Sequence, residues 1–158
     1  MSDTPAKRPS VRLSPEEAWE MVANSHTGIF TSLTKDGTPI ALPVWFAVVD
    51  GAIWMSTPSR AKKVARIRNN PRSSFLVESG ERWRDLKAVH LTGTAEVVEV
   101  DEALAARIKA VTDAKYNAYR EPAKTMPSSA KSAYSGMTHV RFTPDERIVS
   151  WYNARIIS

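Results

Sequence analysis

The first regular hydrophobic pattern in the chain has helical spacing. Ser14 and Glu17 are placed as a capping box, and Pro15 suits the first helical position. Apolar side chains then return to one face from Leu13 up to about Asn24. The pattern predicts an amphipathic helix that begins at Pro15.

Residues 27–57 change to the pattern of strands. The segment TGIFTSLTKDGTPIALPVWFAVVDGAIWMST holds β-branched and aromatic runs separated by two Asp-Gly turns, KDGT and VDGA. This arrangement predicts an antiparallel meander of three strands. Pro39 and Pro43 lack the amide hydrogen that a ladder needs, so they weaken pairing along one edge of the middle strand.

Two further helices are predicted beyond the meander. A basic helix spans roughly 59–69, with Ser59 as its cap and Asn-Asn-Pro as its end. The second helix, DEALAARIKAVTDA, begins at the capping residue Asp101. Its apolar face consists of Leu104, Ile108 and Val111.

Four further strands are predicted in three segments: RSSFLVES, LKAVHLTGTAEVVEV and MTHVRFTPDERIVSWYN, the last as two strands around TPDE. Gly93 marks a bulge or bend in the long strand. GERWRD is a turn or loop, and residues 116–137 are a loop with a short helical piece.

These elements give about six or seven antiparallel strands, with one helix after the third strand and another after the fifth. Sequential hairpins with crossing helices predict a mainly β fold, a small closed or partly closed barrel. Residues 1–12 form a flexible arm, and residues 13–158 form a single domain.

Composition narrows the classes of function. The chain has no cysteine, which removes disulfides, thiolate nucleophiles and cysteine metal sites. No apolar run approaches the roughly 18 residues of a membrane span, and the N-terminus lacks the apolar core of a signal peptide, so we expect a cytoplasmic protein without a membrane partner. The net charge of +5 indicates an anionic partner, and nucleic acid, acidic lipid and a phosphorylated cofactor all qualify.

The start of the basic helix carries charges of the wrong sign. Cations in a first helical turn cost about 0.3–1 kcal/mol each, and no acidic residue lies between Asp50 and Glu78 to offset them. A bound anion would reverse that cost, and the junction of strand and helix offers a cradle for phosphate. Its hydroxyls are those of Ser56, Thr57 and Ser59, and its two cations are Arg60 and Lys62.

Two other interpretations of these charges compete with the phosphate cradle. A solvated helix face is the simplest, because lysine and arginine usually lie outside. Nucleic acid is disfavoured, since no aromatic side chain for base stacking occurs between Arg60 and Arg72. The residues alone leave the cradle and the solvated face open.

The usual catalytic and metal-binding patterns are missing from the sequence. His26, His90 and His139 share no metal-ligand spacing, and no G-x-S-x-G elbow occurs. Trp45 and Trp83 could stack on a planar ligand, although core or interface packing is the simpler role for either. A phosphate cradle without an obvious catalytic side chain favours chemistry carried by a cofactor.

The run from residue 14 to about 100 resembles the pyridoxamine-phosphate-oxidase-like flavoproteins, the split β-barrel superfamily. The resemblance rests on the meander, on VHLTGTAEV and on the pattern S-R-A-K before V-x-x-I-R-x-N-P-R. That pattern is similar to the branch that uses the deazaflavin coenzyme F-420. The resemblance implies a homodimer with two cofactor sites at its interface.

Carried over from the family, roles fall on particular residues of this chain. Arg60 and Lys62 would bind phosphate, with Ser56 or Thr57 and Lys63 nearby. The ring system of the cofactor would be lined by the second strand, through Pro43, Val44 and Trp45.

Two departures from the oxidase itself bear on function. Ala88 stands where the oxidase typically has a glutamine, and its basic C-terminal motif is not evident in SWYNARIIS. The resemblance therefore implies a reductase that transfers a hydride from reduced F-420 to an unsaturated small-molecule substrate. An FMN-dependent oxidoreductase and a non-catalytic flavin or deazaflavin carrier remain alternatives.

Overall fold

A computed structural model describes residues 10–133 and 136–157 of the chain. Most of the predicted N-terminal arm, residues 1–9, lies outside the described residues. In the described part, seven antiparallel strands form one sheet in the order β2-β1-β5-β6-β7-β4-β3. The strands are β1 Gly28–Leu33, β2 Pro39–Val44, β3 Ala47–Val49, β4 Ala52–Pro58, β5 Arg72–Ser79, β6 Lys87–Val98 and β7 Met137–Tyr152. The helices are α1 Pro15–Asn24, α2 Lys62–Asn69, α3 Glu102–Tyr116 and α4 Ser128–Ala133.

The sheet must curl, because its two edge strands are neighbours in sequence. Only Trp45 and Phe46, which we call the crossover, join β2 at one edge to β3 at the other. Three peptide steps from Val44 to Ala47 span at most about 11 Å. The predicted barrel is thus confirmed as a partly closed one, with the crossover bringing its two edges together.

The predicted three-strand meander is wrong in its middle strand. The predicted middle strand is divided into two strands, β2 and β3. Strand β2 pairs only with β1, and strand β3 pairs only with β4, among the described residues. The two helices accordingly follow the fourth and sixth strands rather than the third and fifth. The flanking Asp-Gly hairpins are confirmed, and Asp50 and Gly51 both adopt the positive φ that the second turn requires.

The second half of the sheet follows the prediction more closely. Strand β5 matches RSSFLVES, and the pairing of β6 with β7 shifts register between Leu91 and Gly93, as the glycine predicts. The closing segment is one strand of 16 residues, not two, because β7 pairs with β4 over its first six residues and with β6 from His139 to Tyr152.

Helix predictions succeed where caps are local. Ser14 and Glu17 form the capping box of α1, and the Asp101 side chain accepts the Leu104 amide at the start of α3. Helix α3 runs two residues beyond the predicted segment, and Val111 is exposed instead of joining its apolar face. The short helical piece predicted within 116–137 is α4.

The core lies inside the curled sheet. Its centre is formed by side chains with almost no exposure, among them Phe30, Phe46, Phe75, Phe142 and Ile53. A second, smaller cluster lies outside the barrel, where α3 packs through Ile108 against Trp54 on the β3–β4 hairpin. This second cluster holds α3 beside the crossover.

Candidate functional site

Strand β4 ends at the junction where the sequence predicts a phosphate cradle. Ser56 is exposed and Thr57 is 3% exposed, because alternate residues of a strand point to opposite faces. Thr57 therefore points into the barrel while Ser56 points away from it. Of these two hydroxyls, only that of Ser56 is open to a ligand in solution.

Helix α2 begins later than predicted. Its N-cap is Ala61, whose side chain cannot cap, and Lys62 is the first helical residue. Ser59 is not the cap, since its hydroxyl donates to the carbonyl of Gly136 at 2.6 Å. Arg60 therefore precedes the helix instead of lying in its first turn. The first turn has no acidic residue and no side-chain cap, so its amide groups are left for solvent or a ligand.

The basic residues around α2 fall into two groups. Arg72 forms a bidentate ion pair with Asp145, and Arg66 donates to the buried Ser32 hydroxyl at 2.8 Å. The other four have no ion pair with any described residue: Arg60, Lys62, Lys63 and Arg68. These four unpaired cations lie before the helix and along it.

Lys63 is the least solvated of these cations. Its side chain is half-buried on the flank of α2, one helical turn from Arg66. Loss of solvent and, less strongly, the Arg66 charge lower the pKa of Lys63. A half-buried ammonium beside a second cation is costly without an anion, so the site favours a negatively charged ligand.

The predicted ring-lining residues occupy different surroundings. Pro43 is exposed on the outside of β2, and Val44 is 8% exposed on its inner face. Trp45 does not lie on the second strand as predicted; it lies in the crossover and is 40% exposed. The three residues therefore do not present one continuous surface within a single chain.

Trp45 belongs to an aromatic cluster that the sequence did not indicate. Its ring stacks on Tyr116 with centroids 4.4 Å apart and planes inclined by 5°. His26 contacts three rings edge-on: Trp45, Tyr116 and Tyr119. One face of Trp45 is thus covered by protein, and a ligand can reach only what remains.

Lys115 borders this cluster from the last turn of α3. Its ammonium lies 3.5 Å from the centroid of the Phe46 ring and donates to the Phe46 carbonyl at 3.3 Å. Burial lowers the pKa of Lys115 to about 8. No carboxylate among the described residues pairs with it.

The crossover and the α2 junction lie at the same end of the β3–β4 hairpin. Ala47 pairs with Trp54, and Ser56 is two residues farther along β4. Trp45 is two residues before Ala47, so continuing the register would place it opposite Ser56. The two predicted halves of the site, separated in sequence, are therefore brought to one end of the barrel.

A cavity of about 600 Å³ opens between α1 and the ends of β5 and β6. Its lining includes Glu20, Glu78, Lys87 and His26. His26 also contacts Trp45, which links the cavity to the aromatic cluster. Ala88, the position of the missing glutamine, neighbours this region on β6 and is 2% exposed.

Residues 10–133 and 136–157 contain no group of three or more histidine, aspartate or glutamate side chains placed to hold a metal ion. Over the same residues, no helix has the length and apolar character needed to cross a bilayer. Trp83 is 61% exposed in the loop between β5 and β6.

Comparison with known proteins shows the family to which the chain belongs. The family model described as pyridoxamine 5'-phosphate oxidase matches residues 14–146. The chain belongs to the pyridoxamine 5'-phosphate oxidase family. The matched residues run from α1 through most of β7, so the predicted membership is confirmed at this level.

Solved structures agree with this family in fold. A conserved hypothetical protein from Mycobacterium tuberculosis is 30% identical, with a TM-score of 0.78 over 98% of this chain and 94% of that one. An FAD-binding protein from Mesorhizobium loti is 22% identical, with a TM-score of 0.67 over 87% and 94%. The heme storage protein from Vibrio cholerae is 15% identical, with a TM-score of 0.66 over 90% and 99%. No curated protein matches the sequence significantly.

Sequence reasoning missed Tyr116, Tyr119 and the pairing of Arg66 with Ser32. Tyr116 is 70 residues from the crossover that it contacts, and a tyrosine near a helix end carries no local signal for such a contact. The sequence around Ser32 is that of an ordinary strand, and its bond to Arg66 forms only because α2 packs beside β1. Both contacts depend on tertiary structure.

Proposed function

We propose that this protein is a homodimeric oxidoreductase that transfers a hydride from reduced coenzyme F-420 to an unsaturated organic substrate. Its family includes flavin enzymes, and the junction of β4 with α2, at the end of the β3–β4 hairpin that the crossover enters, suits a phosphorylated, planar cofactor. The proposal rests most on the N-terminus of α2, where uncapped amides and unpaired cations occur together.

The residues at this junction fit a phosphate by their chemistry. Lys62 and Arg60 are exposed and free to move toward an anion, and the Ser56 hydroxyl is exposed beside them in sequence. Lys63 contributes a cation that solvent compensates only in part. Together these groups would neutralise a phosphate dianion and place it on the axis of α2.

The cofactor, when bound, supplies the hydride chemistry. The part of the chain is to orient the ring, exclude water and hold the phosphate. Trp45 offers its uncovered face to the ring, and Pro43 offers an exposed apolar surface on the outside of β2. The cavity beside His26 has the size of a small-molecule pocket.

The choice of F-420 over FMN has two supports. Ala88 offers no side-chain amide, in contrast to the glutamine typical of the oxidase. The unpaired cations on α2 extend beyond its first turn to Arg68, which suits a cofactor with a phosphate and an acidic glutamyl tail. FMN, with a single phosphate, would leave Arg68 without an anionic partner.

A homodimer would complete the site. Pro43 and Val149 are exposed on the outer face of the sheet, and Leu42 is 42% exposed on the edge strand β2. A second copy of the chain would cover such apolar surface and close the open side of the cofactor site. Light scattering should give the dimer mass at micromolar concentration, whereas a monomer with cofactor still bound would contradict an interface site.

The experiment that tests this function is titration of the purified protein with F-420 and, separately, with FMN. Tryptophan fluorescence reports binding, because Trp45 lies at the expected ring. Tighter binding of F-420 supports the proposal, and equal or tighter binding of FMN favours the FMN-dependent alternative. Steady-state oxidation of reduced F-420 with unsaturated acceptors then separates an enzyme from a carrier, which would bind without turnover.

A further inference from the structure

The backbone of the crossover needs hydrogen-bond partners from outside the sheet. Phe46 is 2% exposed, and its peptide groups lie between the end of β2 and the start of β3, outside both ladders. Buried amide and carbonyl groups without partners are strongly disfavoured. The chain must therefore supply partners for Phe46 from elsewhere in the fold.

Tyr116 supplies the partner of the Phe46 amide through its hydroxyl group, and Lys115 donates to the Phe46 carbonyl. The Tyr116 hydroxyl accepts the Phe46 amide at 3.0 Å and lies 3.1 Å from the Phe46 carbonyl, and it donates to the His26 carbonyl at 2.8 Å. Although it ends helix α3, Tyr116 has no exposed surface. A single buried hydroxyl thus joins three segments: the entry to β1, the crossover and α3.

The neighbouring contacts act on the side chains of the crossover. Tyr116 stacks on the ring of Trp45, and Lys115 places its ammonium over the ring of Phe46 while bonding its carbonyl. Two consecutive residues of α3 therefore hold both residues of the crossover. We call this set of contacts the α3 clamp.

We infer that Tyr116 is a positioning residue for the cofactor site. It fixes the plane of Trp45 and the backbone on which that ring is carried, so the exposed face of Trp45 is presented in one orientation. This inference rests on the proposed function, because it assigns Trp45 to the cofactor ring. Tyr116 itself does not touch the cofactor, since its ring is fully covered.

The first experiment tests the clamp without any cofactor. Replacing Tyr116→Phe keeps the stacked ring and removes the hydroxyl, so hydrogen exchange at the Phe46 amide should accelerate by roughly tenfold or more. Tyr119→Phe is the matched control, because Tyr119 is 63% exposed and its hydroxyl has no partner among the described residues. Unchanged exchange at Phe46 in Tyr116→Phe would overturn the clamp.

The second experiment tests positioning. Tyr116→Phe should weaken F-420 or FMN binding several-fold more than Ile108→Val, a core substitution on the same helix that lowers stability without touching the hydroxyl. Faster exchange with wild-type affinity, or equal losses in the two variants, would leave Tyr116 a purely structural residue and overturn the inference. If the wild-type protein binds neither cofactor, the proposed function fails and the positioning role fails with it. The exchange result would still show whether the clamp exists.

Discussion

Helices α1 and α2 begin in opposite ways. At α1, the Ser14 hydroxyl accepts the Glu17 amide at 3.1 Å, the Glu17 carboxylate accepts the Ser14 amide at 3.0 Å, and both acids of the first turn suit the helix dipole. At α2, Ala61 provides no cap, and lysines occupy the positions where acids are favoured.

The difference teaches what each terminus is for. Helix α1 stabilises its own start, and Arg155 adds an ion pair to Glu17 from the C-terminal segment. Helix α2 depends on burial of Val64 and Ile67 for its stability and leaves its start unsatisfied. A helix that stays packed although its N-terminus has no side-chain cap and no acidic residue is expected where a ligand completes the structure.

The largest expected effect comes from removing cations at α2. Each charge-assisted bond to phosphate is worth roughly 1.5–3 kcal/mol, so the double variant Arg60→Ala/Lys62→Ala should lose about 100-fold or more in cofactor affinity. Isothermal titration measures this directly. Lys35→Ala/Arg147→Ala removes the same net charge from exposed positions elsewhere and should bind like wild type. Similar losses in both variants would indicate a general charge effect and not a cradle.

A second change makes α2 resemble α1. Ala61 already has the extended φ and ψ of an N-cap, so Ala61→Asp should cap the free amides and raise the free energy of unfolding by about 1 kcal/mol. The same carboxylate would occupy the place proposed for phosphate, and cofactor affinity should fall at least about tenfold. Denaturant melts and binding titrations of one preparation report both effects. A variant that is more stable and still binds the cofactor normally would show that the anion does not bind at this terminus.

The converse change at α1 should alter stability alone. Ser14→Ala breaks the capping box and should lower the free energy of unfolding by about 1 kcal/mol, as measured by denaturant melts. Cofactor affinity should stay at the wild-type value, because α1 offers its amides to its own side chains. Weaker binding in this variant would mean that the two termini are not independent.

The sequence predicts the start of α1 correctly and the start of α2 incorrectly. The capping box, the Asp-Gly turns and the Gly93 bulge were predicted because neighbouring residues determine them. Ser59 misled the prediction, since its hydroxyl bonds to Gly136, 77 residues away. Ala61 is the N-cap instead, and α2 begins at Lys62.

The split of the middle strand was also beyond local reasoning. Trp45 and Phe46 have the composition of strand residues, and the nearby Pro43 predicts weaker pairing along one edge, not a break in the strand. The break arises because β2 and β3 pair with different neighbours and because Tyr116 binds the Phe46 peptide. The predicted site residues remain a prediction, and two of them, Val44 and Thr57, point inward and away from solvent.

Acid should remove the stability that the capping box contributes at α1, whereas the start of α2 has no acidic residue to protonate. The Ser14 amide and then Arg155 lower the pKa of Glu17 from 4.5 to about 2. Its contribution to stability is complete above about pH 4.5 and is lost as the pH falls toward 2. Glu17→Gln should melt at lower temperature than wild type at pH 7, and that difference should shrink toward pH 2. A difference independent of pH would contradict the ionised capping box.

The central claim is that an anionic ligand compensates the charges at the start of α2. Thermal melts of wild type and Lys62→Ala, each with and without F-420, test it most directly. Without ligand, the variant should melt at the same temperature or slightly higher, because a cation leaves the positive end of the helix dipole, a gain of about 0.3–1 kcal/mol. With ligand, it should gain less stability than wild type, since binding is weaker by about tenfold. A variant that melts well below wild type without ligand, or that gains as much from F-420, would contradict the account.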